Sequence, residues 1–211
     1  MPTFGPKGAG KTTVGLVLAR GGWRLLANDR VFVKPSEAGV RVLPWPSAAA
    51  VELGLLDALG LYEPVAERVT AGEALHPTQE QVVTDALLNG SRTPIRNAKG
   101  RELKAQFHPH QLVDWLGLDL ATEGRGARLL FPSIRPEATP AVLVDDRTLA
   151  EGDFFNAKTE DRYPDVFELL PVCPDKDAQR VAARLAELPR HSLVLSHDTD
   201  TTAALLTKVT A

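Results

Sequence analysis

The sequence is short of three things that would each point to a different kind of protein. It has one cysteine, Cys173, which excludes an internal disulfide framework and a cysteine-built metal cage. It has no apolar run approaching the roughly 18 residues that a membrane-spanning helix needs. Its most signal-like stretch, residues 12–19, is short, carries Thr12 and Thr13 and runs into Arg20-Gly21-Gly22, so it is not read as an export signal. It also lacks a dominant charge. Lys+Arg number 24 against 27 Asp+Glu, a formal net charge of −3, which argues against a nucleic-acid partner held by bulk charge. Internal repeats, low-complexity tracts and domain-separating linkers are missing as well. What remains is a 211-residue chain whose hydrophobic fraction, 44%, suffices for one ordinary core. The expectation is a single cytoplasmic domain over residues 1–211, with no membrane and no nucleic-acid partner.

Periodicity and punctuation place the elements. Residues 11–20 read as a helix with Val14, Val17 and Leu18 on one face and Gly21 at its C-terminal end. Residues 23–27 read as a short buried strand. Residues 31–33 and 40–43 flank a turn-forming cluster, which predicts a hairpin. Ser47 predicts an N-cap for a helix running to Leu59 ahead of Gly60. Thr78 and Gln81 have the spacing of a capping box for a helix ending near Gly90. Residues 91–104, with Arg92, Arg96, Lys99, Arg101 and Lys104, read as a basic loop leading into a strand. Pro109 predicts a helix start, running through Trp115 to Gly117. Strands are expected at 128–131, 141–144 and 192–196, an exposed loop over 153–164, and helices at 177–188 and 201–206. Strands alternating with helices predict an α/β layered fold with an antiparallel hairpin added.

One motif carries chemistry. Gly5-Pro6-Lys7-Gly8-Ala9-Gly10-Lys11-Thr12 matches G-x-x-x-x-G-K-[ST] at every fixed position, directly ahead of a helix. Glycines let the backbone turn its amides inward as an anion nest, the Lys11 ammonium reaches β and γ phosphates, and the Thr12 hydroxyl can ligate Mg²⁺. The helix dipole adds partial positive charge at the same place. The expected nucleotide-contacting residues are Gly5, Gly8, Ala9, Gly10, Lys11, Thr12 and Thr13. The strand that normally feeds such a loop has only Met1 to Phe4 to form from, so it is either very short or part of a longer chain.

Geometry draws Asp29 to the same place. The helix runs about 15 Å away from the loop at 1.5 Å per residue. The strand after it returns about 17–20 Å at roughly 3.3 Å per residue. Asp29 should therefore end beside the loop, where its carboxylate could hold Mg²⁺ or take the proton from an attacking hydroxyl. The plainer reading is a turn aspartate that opens the hairpin.

Residues 5–12 followed by Arg20-Gly21-Gly22-Trp23-Arg24-Leu25-Leu26-Ala27-Asn28-Asp29-Arg30-Val31 resemble the HPr kinase family, with its phosphate loop, helix, R-G-hydrophobic strand and Asp-Asp ahead of a hairpin. The run over 40–46 and Leu129-Leu130-Phe131-Pro132 resemble segments of the shorter HPr-kinase-like proteins. The resemblance is good over residues 5–46 and weak beyond. It implies a P-loop, HPr-kinase-like fold and ATP-dependent phosphorylation of a hydroxyl on a protein serine, a peptide or a small molecule, with Mg²⁺. It also implies a catalytic acid that carries over onto Asp29. The first family aspartate is Asn28 here; an amide cannot accept a proton, which puts any second activity such as phosphorolysis in doubt.

A second resemblance competes. Residues 8–15 are also similar to shikimate- and gluconate-type small-molecule kinases, but the D-x-D motif that those enzymes place after the next strand is incomplete at Asn28-Asp29-Arg30-Val31. A nucleotide-binding regulatory module without transferase activity is the reading from a different class. Among other residues, Arg96 and Arg101 of the basic loop are candidate phosphate clamps, and Arg125 a candidate lid residue. Val142-Leu143-Val144-Asp145-Asp146 reads as a strand ending in a turn rather than as a Mg²⁺ strand, because Asp29 already fills that role in the resembled family. His108 and His110 read as a helix start rather than a metal pair. His197-Asp198 lacks the nucleophile that a hydrolase triad needs. Trp23, Trp45 and Trp115 read as core or interface.

Overall fold

The computed structural model describes residues 1–37, 39–45, 47–154 and 175–211. Cys173, Pro46 and most of the loop expected over 153–164 lie outside them. The described residues form a mixed α/β fold with seven helices and three small sheets. No helix among them is long and apolar enough to cross a membrane.

In chain order, α1 (Lys11–Arg20) leads to the hairpin β1 (Val31–Ser36) and β2 (Gly39–Pro44). Next come β3 (Ala49–Val51), α2 (Leu53–Ala58), α3 (Tyr62–Thr70), α4 (Gln81–Leu88), β4 (Ala105–Phe107) and α5 (Pro109–Asp114). The rest comprises β5 (Gly124–Arg125), β6 (Leu129–Ile134), β7 (Ala141–Leu143), α6 (Asp175–Ala186), β8 (Arg190–Leu195) and α7 (Thr199–Thr210).

The largest buried sheet has β8 between β6 and β7, parallel to β6 and antiparallel to β7. Alternate residues of a strand face opposite sides, and the two faces bury different layers. Leu130, Leu193 and Leu195 pack on Val14 and Val17 of α1 and on Leu206 and Val209 of α7. Leu129 and Phe131 pack on Val181 and Leu185 of α6 and on Val40 and Val42 of the hairpin. The far side of α1 buries Leu16 and Ala19 in a third cluster, built from α2 to α5 with β3 and β4. Helix α1 is thus clamped between sheet and helical cluster, which fixes the direction in which its first residue points.

The residues ahead of the loop do pair. Thr3 bridges Leu130 in parallel, with Phe4 N–H donating to Leu130 O (2.9 Å) and Leu130 N–H to Pro2 O (3.1 Å). The next rung would require an N–H at residue 132, on the same side of β6 as that of Leu130. Pro132 has none, so the ladder stops and the chain turns away at Gly5.

Three expectations need correction. Residues 23–27 do not form a buried strand: Leu25 alone bridges Leu120, and Trp23 is 44% exposed. The helix expected from Ser47 is a strand first, β3, paired antiparallel with β4; α2 starts only at Leu53, although it ends just before Gly60 as expected. The alanines of β3 favour helix intrinsically, but pairing and burial of Ala49 and Val51 override that preference. Helix α4 is capped at Glu80, not at Thr78, whose hydroxyl instead pairs with His76 Nδ1 at 2.8 Å. Helix α3 was not legible at all.

Asp198 is the N-cap of α7, accepting the N–H groups of Asp200 (2.9 Å) and Thr201 (3.1 Å). The Thr201 N–H first, and that of Asp200 after burial has acted against it, hold the carboxyl below its ordinary range. The stabilisation is therefore present above the unfolded pKa and is lost as pH falls through the lower folded one. Asp198→Ala should lower the melting temperature at neutral pH, and by less in acid, where wild type has lost the charged part of the cap; thermal scans at the two pH values check this.

Candidate functional site

The Gly5–Thr12 loop lies over the carboxyl ends of β6 and β8. Gly10 is the N-cap of α1 in the left-handed region (φ 99°), and a Cβ there would sit 2.9 Å from Ile134 Cγ1 and 3.4 Å from Leu195 Cδ1. Gly8 also needs its positive φ of 80°. Val14 N–H makes the first helical bond, to Gly10 O at 2.9 Å. The amides of Lys11, Thr12 and Thr13 precede it and have no partner inside the helix. Gly10→Ala should combine left-handed strain of about 1–2 kcal/mol with the Ile134 clash. A denaturation midpoint clearly below that of wild type is the expected result.

The Lys11 side chain curls back into the loop, donating to Gly5 O at 2.7 Å and Pro6 O at 2.9 Å. Burial lowers its pKa; the Asp29 carboxylate works against that, Lys104 adds to it, and Asp153 opposes it. The ammonium is therefore the focus of charges drawn from three places in the chain. Thr12 is half-buried beside it, while Thr13 is buried.

Asp29 is near enough for its carboxylate to act on Lys11, although the segment that returns to it is not the expected strand. Its carboxylate is 58% exposed and lies 3.5 Å from Arg30 Nε. The preceding Asn28 turns the other way and donates its amide to Ala50 O in β3 (3.3 Å). An aspartate there would set a carboxylate against a carbonyl oxygen, so the departure from Asp-Asp has a structural reason. The same bond ties the loop's neighbour to the β3–β4 pair.

The basic loop divides its arginines and lysines among different tasks. Arg92 pairs with Asp57 and Glu63 and stacks 4.3 Å over the Tyr62 ring, joining α2 and α3. Arg96 meets Glu102 through a backbone β-bridge while its side chain donates to Gly100 O, and Arg101 belongs to the same turn, closed through Asn97. The charge that acts on Lys11 is that of Lys104, which pairs with Glu52. These two follow from the strand register: Val51 faces Ala105, so Glu52 and Lys104 are the next pair along. Glu102 lies in the same group, its carboxyl pushed up by burial and by Glu52. Lys104 was visible only as one cation among several, and Glu52 was hidden inside an expected helix.

The remaining candidates have local partners. Asp145 accepts from Ser192 Oγ at 2.8 Å, which ties the end of β7 to β8. Asp153 takes Arg147 through both oxygens, at 2.8 and 2.9 Å, with Arg147 over the Phe131 ring. Arg125 lies on β5 opposite Arg41. His108 caps α5 with Gln111, and its ring lies 4.6 Å from His76 and 5.3 Å from His110. Among the described residues no group of three or more His, Cys, Asp or Glu is placed to hold a metal ion. Trp115 is core, Trp45 packs against Phe32, and Trp23 is exposed.

The arrangement offers an anion the N-terminus of α1, whose first amides have no helical partner, and one flexible ammonium, with the exposed Asp29 carboxylate close enough to act on it. Compared with protein-family models, with curated proteins and with solved structures, the chain has no match.

Proposed function

We propose that the protein is an HPr-kinase-like P-loop kinase, moving the γ-phosphoryl group of ATP to a hydroxyl acceptor on a protein, a peptide or a small molecule. One observation carries the reading: the Lys11 ammonium is held inside the glycine loop with the Asp29 carboxylate acting on it from across the site. The loop fits phosphates because Gly5, Gly8 and Gly10 hold positive φ values and lead directly into the N-terminus of α1, whose first amides have no helical partner. Thr12 and Asp29 fit Mg²⁺ because both offer oxygen, the ligand a hard cation takes. Mg²⁺, when bound, would neutralise charge on the phosphates.

The chain's own residues do the rest. The amides of residues 8–12 position the phosphates, and Lys11 leaves its loop carbonyls to bind them. Asp29, exposed enough to meet an acceptor, takes the hydroxyl proton as the oxygen attacks. Catalysis of this kind is positioning and electrostatics more than covalent chemistry.

Calorimetry with a Mg²⁺-dependent nucleotide panel tests the reading, followed by a screen of hydroxyl acceptors for phospho-product. Binding of Mg·ATP with product supports a kinase. Binding with nucleotide-dependent assembly and no product points to a regulatory module, and absence of binding overturns both.

A further inference from the structure

We propose that Lys104 is a second phosphate-binding cation of this site, held on Glu52 in the free protein and transferred to the terminal phosphate of a nucleoside triphosphate when it binds. The inference rests on the kinase reading above.

The placement comes from strand register and one hydrogen bond. Asn28, next to Asp29, is bonded to Ala50 O. Ala50 is paired with Gln106 and Val51 with Ala105, which sets Glu52 against Lys104 two residues along β3 from the carbonyl that holds Asn28, the neighbour of Asp29. Transfer would take place beside Asp29, so the phosphate nearest Lys104 is the terminal one. Neither partner is fully open to water: the Lys104 side chain is 21% exposed and that of Glu52 28%.

The charges suit an exchange. Lys104 is one of the charges that lower the Lys11 pKa, so the two ammoniums repel each other. An anion that meets both offsets the repulsion and attracts both. Releasing Lys104 leaves Glu52 beside a second acid, Glu102, and this repulsion opposes the exchange; the Arg96 charge that acts on Glu102 offsets part of it, and the phosphate must supply the rest. A lysine suits the task because its four-carbon stem is flexible and its ammonium is a compact charge with rotatable donors.

The test compares Mg·ATP and Mg·ADP binding to wild type, Lys104→Gln, Lys104→Arg and Glu52→Gln by calorimetry. Lys104→Gln should lose about tenfold in ATP affinity, the scale of one charge-assisted hydrogen bond, and little in ADP affinity. Lys104→Arg should restore most of the loss. Glu52→Gln should bind ATP more tightly than wild type, because the carboxylate no longer competes for the ammonium. An ion pair with only a structural role gives a different pattern: Lys104→Gln and Glu52→Gln then weaken both nucleotides together. That result, or an unchanged ATP-to-ADP ratio in Lys104→Gln, overturns the proposal and leaves the kinase reading intact. Wild-type protein that binds neither nucleotide overturns the kinase reading itself, and this proposal with it.

Discussion

Lys11→Ala should abolish turnover and weaken Mg·ATP binding by about 100-fold, the upper scale for losing a charge-assisted hydrogen bond. The side chain makes two short bonds to loop carbonyls, so at first sight its loss should also damage the fold. The electrostatics argue otherwise. Burial lowers the Lys11 pKa, which means that the folded chain binds that proton less tightly than the unfolded chain does. The resulting penalty is complete at pH values below the folded pKa and disappears as pH rises toward the unfolded one. The two carbonyl bonds offset part of it. Alanine removes both the bonds and the penalty. The nucleotide-free variant should therefore melt close to wild type, with a flatter stability profile on the alkaline side. Calorimetry and thermal scans separate the effects: a ligand-free collapse of Lys11→Ala would make Lys11 a structural residue.

Asp29→Asn is expected to split binding from transfer. The asparagine keeps the shape and loses the charge and the basicity. Phosphoryl transfer should fall by at least ~10², the usual worth of a positioned general base. Mg·ATP affinity should change far less, because amides and Lys11 carry the phosphates, although more Mg²⁺ should be needed for saturation. The Arg30 guanidinium at 3.5 Å is too loosely placed to immobilise the carboxylate, which leaves it open to an acceptor. Single-turnover assays with an identified acceptor give the rate, and calorimetry gives the affinity. Near-full transfer by Asp29→Asn would show that the base lies elsewhere.

Residues 5–20 could be read because their signals are local. Fixed glycines, a lysine and a threonine define the loop, and helical periodicity defines α1; the expected return to Asp29 runs along a strand that the chain does not form. The hairpin, α5, β6 and β8 were legible for similar reasons, from β-branched runs and from Pro109. The second half of the site was not. Its residues meet through β3 and β4, separated by more than fifty residues of chain, and β3 has the composition of a helix. Reading residues 47–59 as one helix hid the pairing that brings Glu52 to Lys104. Asn28 looked like a defect in an acidic motif because its partner, a backbone carbonyl of β3, could not be foreseen from the sequence.

Pro132 acts as a ruler for the site. A residue with an amide hydrogen at that position would add one bond, to Phe4 O, and hold Gly5 against β6; the bond after it would need an N–H on Pro6 and cannot form. The slack for the turn that follows would then be shorter, while its far end stays pinned at Gly10 between Ile134 and Leu195. The span available to wrap a ligand is thus set by a bond that cannot form at one end and a side chain that cannot fit at the other.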